Sequence, residues 1–404
     1  MQKVKHALLA LMVIYMRFHR GILARNKNSV LFFTPDIPIS NLGDQALFIG
    51  ALEGLLTLSK EKIYAIANGP EKLSEVPFRP KAHENIVLVE DLYLAFATDK
   101  AFSELIKLLW LSRKANSLIL VGADVIDGRY HAEEAARKIK IVRMLSRTGV
   151  HCRIVGFSIS ENVSPLSAKQ FKLLDGQVKA IARDDVSRVR MQKYANCQLG
   201  ADCAFLMQAH TESKEFEKLV EWKGQQTFTV GLCLREEDFM GEKGQRELPV
   251  FIKSLLAAIP DSPTGILLLP HHPGDIHMLS SASDELKRQG YINIFAFSEL
   301  PAAAQVKGYV SLCDHVITSR MHVAIASLGM NTAITCLPYA GKFEGLFKHF
   351  EFSDAGIDRD KVHDDDYLSA YLSKRFGKTD ELQSQIRLRL PQIRKLSQSN
   401  FDGL

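Results

Sequence analysis

The chain has 404 residues, of which 46% are hydrophobic and 24% are charged, and it carries a formal net charge of +5. This composition is typical of a soluble globular protein, and the length exceeds what one hydrophobic core usually serves, so we expect two domains. No long Lys/Arg run and no alternation of aromatic and basic residues occurs, which argues against nucleic acid as a partner. The small positive excess suits anionic substrates or an anionic lipid surface.

Residues 1–28 form a basic amphipathic segment ahead of the first predicted strand. Its apolar stretch, Ala7 to Met16, is flanked by Lys3, Lys5, Arg17, His19, Arg20 and Arg25. Such a stretch is too short to span a bilayer, and no small-residue cleavage site of a signal peptide follows it. Two interpretations remain open: a helix that lies on the inner membrane face, and a helix that packs on the first domain.

Strand and helix signals then alternate along the first half of the chain. Strands are predicted at residues 30–33, 63–66, 86–89, 117–121, 153–157 and 178–182, and helices at 44–58, 101–111, 132–147 and 184–194. Strands separated by helices predict a parallel sheet covered on both faces. We assign this set to a Rossmann-like domain over residues 29–210.

A polar stretch from Thr211 to Gln226 is expected to link the halves. A second set follows, with strands at residues 227–234, 265–269, 292–296, 315–318 and 333–336 and helices at 248–258, 276–289, 300–311 and 322–328. These elements predict a second Rossmann-like domain over residues 225–372, followed by a charged amphipathic helix within 378–404. The expected fold class is α/β, with two doubly wound Rossmann-like domains facing a cleft.

Six cysteines occur, none in a CxxC pair and most within apolar runs. We therefore expect buried free thiols in a reducing cytosol rather than a disulfide framework or a zinc site. No metal is predicted.

The segment Ser319-Arg320-Met321-His322 lies where a predicted strand gives way to a helix. In open α/β sheets ligands bind at that edge, and a helix N-terminus with a neighbouring guanidinium suits a carboxylate or phosphate. A histidine there can exchange a proton near neutral pH. The alternative is an ordinary helix cap with a surface arginine and a half-buried histidine.

Two further loops follow strands of the first half. In the first, Asn41 or Asp44 is expected to cap a helix while Gly43 lets backbone N–H groups approach an anion or a sugar, although a plain capped helix start explains the same residues. In the second, Asp124 and Asp127 can hold sugar hydroxyls or simply form a turn. Two carboxylates alone are too few for a hard cation.

Three basic residues end strands elsewhere. Arg183 is expected to face the cleft and grip an anion, or else to form a structural pair with an aspartate. Arg235 closes the first strand of the second half, and His271 follows the next. The turn that contains His271 crowds its potential ligands too closely for a metal site, so we favour contacts with a sugar or nucleotide.

Taken in order, these motifs resemble those of the polysaccharide pyruvyl transferase family. The set comprises Asn41-Leu42-Gly43-Asp44, Gly122-Ala123-Asp124, Arg183-Asp184 with Ser187, Gly200-Ala201-Asp202, Leu234-Arg235, Pro270-His271, Ser319-Arg320-Met321-His322, and Pro338-Tyr339 with Lys342. The resemblance covers about residues 30–350. At 122–124 this chain has Ala and Asp where the family often has a glycine run.

The resemblance implies a GT-B-like fold and transfer of a pyruvyl group from phosphoenolpyruvate to hydroxyls of a sugar in a bacterial surface polysaccharide or its precursor. The products would be a pyruvate ketal and phosphate. Phosphoenolpyruvate would be the co-substrate, and no other cofactor is implied. By motif, Arg320 and His322 match the family's SRxH positions, and Arg183 matches its RD position; such arginines hold the donor anion.

From these matches we expect His322 to be the general acid and Arg183, Arg320 and Arg235 to bind the donor. Arg183, Arg320 and His322 would form one cationic pocket. Residues expected to contact the acceptor are Asn41, Gly43, Asp44, Asp124 and His271.

Two other functions remain open. One is a nucleotide-sugar glycosyltransferase of GT-B type, and the other is a non-catalytic glycan-assembly protein at the membrane. In each case we expect a cytoplasmic protein, and peripheral inner-membrane contact through residues 1–27 is one of the two interpretations of that segment. Its acceptor or partner would be a glycan or a lipid- or nucleotide-linked sugar.

Overall fold

The computed structural model describes residues 2–18, 28–33, 41–58, 60–66, 83–89, 92–97, 102–239, 241–339 and 341–404. The chain folds into two compact units. The first contains Met1–Ile39, Leu47–Leu206 and Arg394–Leu404, and the second contains Ser40–Ala46 and Met207–Ile393.

The first unit is built on a seven-stranded sheet in which every pairing is parallel. Its strands are β1 (Ser29–Phe33), β2 (Lys62–Ile66), β3 (Ile86–Val89), β4 (Ser117–Ala123), β5 (His151–Phe157), β6 (Val178–Ala182) and β7 (Cys197–Leu199). They lie in the order β3-β2-β1-β4-β5-β6-β7. This order reverses direction between β1 and β4, as in Rossmann-like sheets.

The helices that belong to this unit cover the sheet. They are α1 (Gln2–Phe18), α2 (Leu42–Leu56), α3 (Tyr93–Ala97), α4 (Phe102–Leu111), α5 (Ala132–Arg147), α6 (Pro165–Phe171) and α7 (Asp185–Met191), of which α2 begins in the second unit. Every residue of β1 and β4 is buried. Such uninterrupted burial is expected of central parallel strands with helices on both faces.

The second unit contains a five-stranded parallel sheet. Its strands are β8 (Phe228–Cys233), β9 (Thr264–Leu268), β10 (Ile294–Ala296), β11 (His315–Thr318) and β12 (Ala333–Cys336), in the order β10-β9-β8-β11-β12. Its helices are α8 (Lys214–Lys223), α9 (Gly241–Ala258), α10 (Pro273–Arg288), α11 (Ala303–Val310), α12 (Met321–Gly329), α13 (Glu344–Phe350), α14 (Asp365–Gly377) and α15 (Thr379–Gln398), whose end lies in the first unit.

Each predicted strand and helix is present, with ends that differ by a few residues in most cases. The stretch expected to link the halves, Thr211 to Gln226, contains α8, which the sequence did not predict, and it belongs to the second unit. Ser213 caps this helix by accepting a hydrogen bond from the backbone N–H of Phe216, and Leu219 is buried. The elements not predicted also include the short α3, α6, β7 and α13 and the 13-residue α14.

The N-terminal segment forms α1, which packs on the first unit. Met16 is buried, and Leu9, Met12 and Val13 pack against the core. No helix in the described part of the chain is both long and apolar enough to cross a bilayer. All six cysteines are buried and free, which confirms the predicted thiols.

Candidate active site

Polar side chains collect at the carboxyl edge of the five-stranded sheet. The strands β9, β8, β11 and β12 are neighbours in that order, and they are followed by His271, Arg235, Arg320 and Tyr339. Because parallel strands all end at the same edge, these four side chains belong to one face of the second unit. Ligands of doubly wound sheets bind at such an edge.

Arg320 is held by Asp275. Its Nε and Nη2 atoms donate to the two carboxylate oxygens of Asp275, at 3.1 and 2.5 Å. The carboxylate is fully buried and also accepts a hydrogen bond from the backbone N–H of His271 at 3.1 Å. A two-pronged pair of this kind fixes the plane of the guanidinium.

The two charges in this pair shift each other's protonation. Burial raises the pKa of Asp275, and the hydrogen bond and positive charge of Arg320 offset part of that rise. Burial alone would lower the pKa of Arg320, but its hydrogen bond and charge attraction to Asp275 prevail and raise the pKa. Arg320 therefore stays charged.

The turn from β11 into α12 is fixed by hydroxyl groups. Thr318 Oγ1 accepts from the backbone N–H of Arg320 at 2.9 Å, and Ser319 Oγ accepts from the backbone N–H of Arg235 at 2.8 Å. Arg320 is the N-cap residue of α12, and His322 lies in its first turn. The structure thus confirms the prediction that a strand ends and a helix begins at this segment.

Gly43 brings the start of α2 against His322. A Cβ placed on Gly43 would lie 2.6 Å from Nδ1 of His322. Asn41 caps the helix, since its Oδ1 accepts from the backbone N–H of Gly43 at 3.1 Å while its Nδ2 donates to Asp44 at 2.7 Å. Asn41, Gly43 and Asp44 therefore share a site with His322 within the second unit.

His271 lies within electrostatic range of His322 and Arg320. It is buried, and burial lowers its pKa well below 6.5, with further lowering by the charges of His322, Arg320 and His272. His271 is consequently neutral near neutral pH.

Arg235 stacks on an aromatic ring. Its guanidinium carbon is 3.5 Å from the ring centroid of Tyr339, and its Nη2 donates to Asp238 at 2.8 Å. The ammonium of Lys342 is 4.8 Å from the same ring centroid. Stacking and the ion pair together hold Arg235 beside Tyr339, and Lys342 adds a second cation near the same ring.

The carboxyl edge of the seven-stranded sheet carries the remaining candidates. Arg183, directly after β6, forms a buried ion pair with Asp202 at 3.1 Å. Asp184 instead caps α7 by accepting from the backbone N–H of Ser187 at 2.7 Å. Arg183 therefore forms the structural pair with an aspartate that the sequence left open. The aspartate is Asp202, which belongs to the Gly200-Ala201-Asp202 segment.

The acidic loop after β4 begins with a strained residue. Ala123 has φ of 48°, in the left-handed region that residues with a Cβ seldom adopt. Asp127 is a turn former, since its carboxylate accepts from the backbone N–H groups of Arg129 and Ser160 at 3.0 and 2.9 Å. Asp124 is half-buried in the turn between them.

The predicted residues thus fall into two groups. Within the second unit lie Asn41, Gly43, Asp44, Arg235, His271, Arg320 and His322, and within the first lie Asp124 and Arg183. Their union in one pocket stays a prediction. Each candidate arginine has a carboxylate partner, and none of the three, Asp275, Asp238 and Asp202, is among the site residues predicted from the sequence.

The two sheets and their polar carboxyl edges define a GT-B-like fold, and solved structures agree over nearly the whole chain. A putative UDP-N-acetylglucosamine 2-epimerase from Listeria monocytogenes matches with a TM-score of 0.59 and 11% identity, over 90% of this chain and 91% of its own. An α,α-trehalose 6-phosphate synthase from Burkholderia multivorans matches with a TM-score of 0.55 and 10% identity, over 93% and 97%. The Escherichia coli trehalose-6-phosphate protein solved with UDP-2-fluoro glucose matches with a TM-score of 0.51 and 12% identity, over 92% and 98%.

The chain belongs to the polysaccharide pyruvyl transferase family, whose model matches residues 41–341. The match begins at the Asn41 cap and ends just after Tyr339, so it spans both ends of the site in the second unit. It confirms the family resemblance and makes the protein a transferase. No curated protein matches the chain significantly.

Proposed function

We propose that this protein transfers a pyruvyl group from phosphoenolpyruvate to two hydroxyls of one sugar in a surface polysaccharide or its precursor. The family match, with Arg320 and His322 together at the carboxyl edge of the second sheet, carries this proposal. One proton adds to the vinyl carbon of the donor, and one hydroxyl attacks the resulting oxocarbenium-like carbon. The second hydroxyl then displaces phosphate, which leaves as hydrogen phosphate with the remaining proton.

Donor binding is assigned to Arg320, Arg235 and Arg183. Phosphoenolpyruvate carries a carboxylate and a phosphate, and guanidinium groups bind both. Asp275 engages Nε and Nη2 of Arg320, so Nη1 is the edge assigned to the donor. The backbone N–H groups at the start of α12 add to the attraction for an anion.

His322 is assigned as the general acid. The neighbouring His271 has a lowered pKa caused first by burial, so it holds no proton to give near neutral pH. His322 is therefore the better-suited of the two imidazoles. A positioned acid contributes about 10²–10⁴-fold to the rate.

Acceptor contacts are assigned to Asn41, Gly43, Asp44, Asp124 and His271. Asp44 is half-buried at the start of α2, and its bond to Asn41 holds it near His322. A carboxylate so placed can orient a sugar hydroxyl or take its proton. The acceptor is a glycan, or a sugar carried on a lipid or a nucleotide.

The proposed location is the cytoplasm, with peripheral contact to the inner membrane through residues 1–27. Six buried free thiols support a reducing compartment. The proposed reaction needs phosphoenolpyruvate as co-substrate and no further cofactor.

Release of phosphate from phosphoenolpyruvate tests the proposal. The purified protein is mixed with phosphoenolpyruvate and a panel of nucleotide-linked, lipid-linked and polymeric sugars. We expect release with at least one acceptor and a mass gain on that acceptor that matches a ketal. Absence of phosphate release with all three types of acceptor would exclude the proposed reaction.

A nucleotide-sugar glycosyltransferase is the second candidate. It is favoured by two similar structures, one named as a UDP-N-acetylglucosamine 2-epimerase and one solved with UDP-2-fluoro glucose. Thermal shift with phosphoenolpyruvate, UDP-sugars and GDP-sugars separates the two. Stabilisation by a nucleotide sugar but not by phosphoenolpyruvate would support the second candidate. Stabilisation by none, with no turnover, would support a non-catalytic role in glycan assembly.

A further inference from the structure

Helix α1 has two apolar faces, and only one of them is used by the core. Leu9, Met12, Val13 and Met16 pack inward at helical spacing. On the other side Leu8, Leu11 and Tyr15 are 49, 63 and 54% exposed. Since burial of an apolar side chain stabilises a protein, the outward side chains lack a stabilisation that the inward side chains receive.

The outward stripe continues onto α4. A surface pocket of about 240 Å³ is lined by Leu8, Leu11 and Tyr15, by Trp110 and Arg113, and at its base by Met12 and Met16 of the inward face. Trp110 is 54% exposed, and the guanidinium carbon of Arg113 lies 4.6 Å from its ring centroid. We call Leu8, Leu11, Tyr15, Trp110 and Arg113 the α1–α4 surface.

The N-terminal part of the sequence carries charge of one sign. The first acidic residue of the chain is Asp36, and ahead of it stand Lys3, Lys5, Arg17, Arg20, Arg25 and Lys27. The first turn of α1 holds no acid. An apolar surface that includes Arg113, in a chain whose N-terminal sequence is basic, matches a bilayer whose head groups are anionic.

We infer that the α1–α4 surface docks on an anionic lipid bilayer. Leu8 and Leu11 enter the boundary between head groups and acyl chains, where Trp110 and Tyr15 place their rings. Arg113 keeps its charge at the phosphates while its stem and the Trp110 ring stay in the apolar layer. This inference gives the proposed inner-membrane contact its residues, and it does not depend on the reaction at His322.

A second copy of the chain fits this surface less well. In a two-fold dimer the same patch meets itself, so Arg113 would face the Arg113 of the second copy. Like charges in contact oppose such pairing. A lipid surface supplies the opposite charge that a second copy lacks.

Co-sedimentation of the full chain with vesicles tests the inference. We expect binding to vesicles of phosphatidylcholine with phosphatidylglycerol, and little binding to phosphatidylcholine alone. Leu11→Ser and Trp110→Ser should each weaken binding by roughly tenfold, since each removes apolar contact with the bilayer. Arg113→Gln should weaken it by roughly fivefold and reduce its dependence on salt.

Two exposed apolar residues outside the first unit's α1 and α4 serve as matched controls. Ile292 is 84% exposed and Leu388 is 78% exposed, both in the second unit. Ile292→Ser and Leu388→Ser should bind vesicles like the wild type. Equal loss in these controls, or no preference of the wild type for anionic vesicles, would overturn the inference.

Two further measurements distinguish a bilayer from a second copy as the partner, and membrane binding from the proposed reaction. Light scattering of the wild type and of Leu11→Ser reports the oligomeric state, and a dimer that Leu11→Ser dissociates would replace the bilayer by a second copy. Thermal shift with phosphoenolpyruvate is expected to be the same for Leu11→Ser and the wild type. Loss of vesicle binding with that shift intact supports the inference separately from the proposed reaction.

Discussion

Gly43 and His322 are far apart in the sequence, but both belong to the second unit and they are in direct contact. A Cβ on Gly43 would lie 2.6 Å from Nδ1 and 3.2 Å from Cε1 of His322. Carbon atoms of side chains do not approach a nitrogen so closely, so any larger residue at 43 must displace the imidazole or α2. The glycine of this motif is therefore needed for the space that it leaves, in addition to any approach by a ligand.

Gly43→Ala is expected to lower turnover by about 10²-fold, because displacement of a catalytic group by about 1 Å has that effect. The free energy of unfolding should fall little, since alanine is favoured over glycine in helices by up to about 1 kcal/mol. Steady-state phosphate release and urea unfolding measure the two quantities. Gly377→Ala, with nothing within 4 Å of its added Cβ, is the control and should leave turnover unchanged.

His322→Gln is expected to reduce kcat by about 10²–10⁴-fold and to leave phosphoenolpyruvate affinity within a few-fold of wild type. Glutamine retains polar atoms and volume but cannot deliver a proton in this way. Phosphate release gives kcat, and calorimetric titration gives the affinity. A variant with a near-normal kcat would exclude His322 as the acid.

The strands of both sheets were predictable because central parallel strands are buried on both faces and so appear as short apolar runs. Val178–Ala182, His315–Thr318 and Ala333–Cys336 were predicted to the residue. Helix α8 was missed although Phe216, Leu219 and Val220 have helical spacing. Charged residues dominate this stretch, so its composition indicates a linker more strongly than its short apolar period indicates a helix.

Within the site, sequence indicated which residues follow strands but not which of them meet. Asp275 follows β9 and Arg320 follows β11, and these strands flank β8 on opposite sides. Only the sheet order shows that their side chains form a pair. The same holds for Arg183 with Asp202, whose strands β6 and β7 are neighbours in the sheet. Pairing across strands is a property of topology, and no local pattern encodes it.

The Arg320–Asp275 pair is expected to contribute both stability and donor binding. Arg320→Ala leaves a buried carboxylate without its partner, so the free energy of unfolding should fall by about 3–5 kcal/mol. The double variant Arg320→Ala with Asp275→Asn should lose less than the sum of the single losses, because the unpaired charge is gone. Urea unfolding of the four proteins measures this coupling.

Donor affinity separates the two roles of this pair. Asp275→Asn keeps Arg320 and removes the charge that neutralises it, so phosphoenolpyruvate should bind at least as tightly as to the wild type. The double variant should bind it weakly, since Arg320 is absent. Equal affinity in both variants would show that Arg320 serves stability alone. The exposed pair of Arg246 with Glu242 is the control, and Arg246→Ala should change neither quantity.

Two buried histidines are expected to make the fold sensitive to mild acid. Burial lowers the pKa of His271 well below 6.5, and burial followed by the charge of Arg375 lowers the pKa of His315 to about 3. Both pKa values are lower in the folded than in the unfolded chain, so below about pH 6.5 the unfolded chain binds more protons. The free energy of unfolding therefore decreases as the pH decreases. Each histidine adds about 1.4 kcal/mol per pH unit to this slope.

Urea unfolding between about pH 7 and about pH 5 measures the slope, in a window above the range where carboxylates titrate. His315 bonds to Thr379 Oγ1 at 3.2 Å and to Thr335 Oγ1 at 2.9 Å, so His315→Asn keeps a polar partner while it removes the titrating ring. This variant should lose stability at neutral pH but show a shallower slope. A slope equal to that of the wild type would mean that His315 takes up its proton without unfolding, and that the hydroxyl groups around it accommodate the charge.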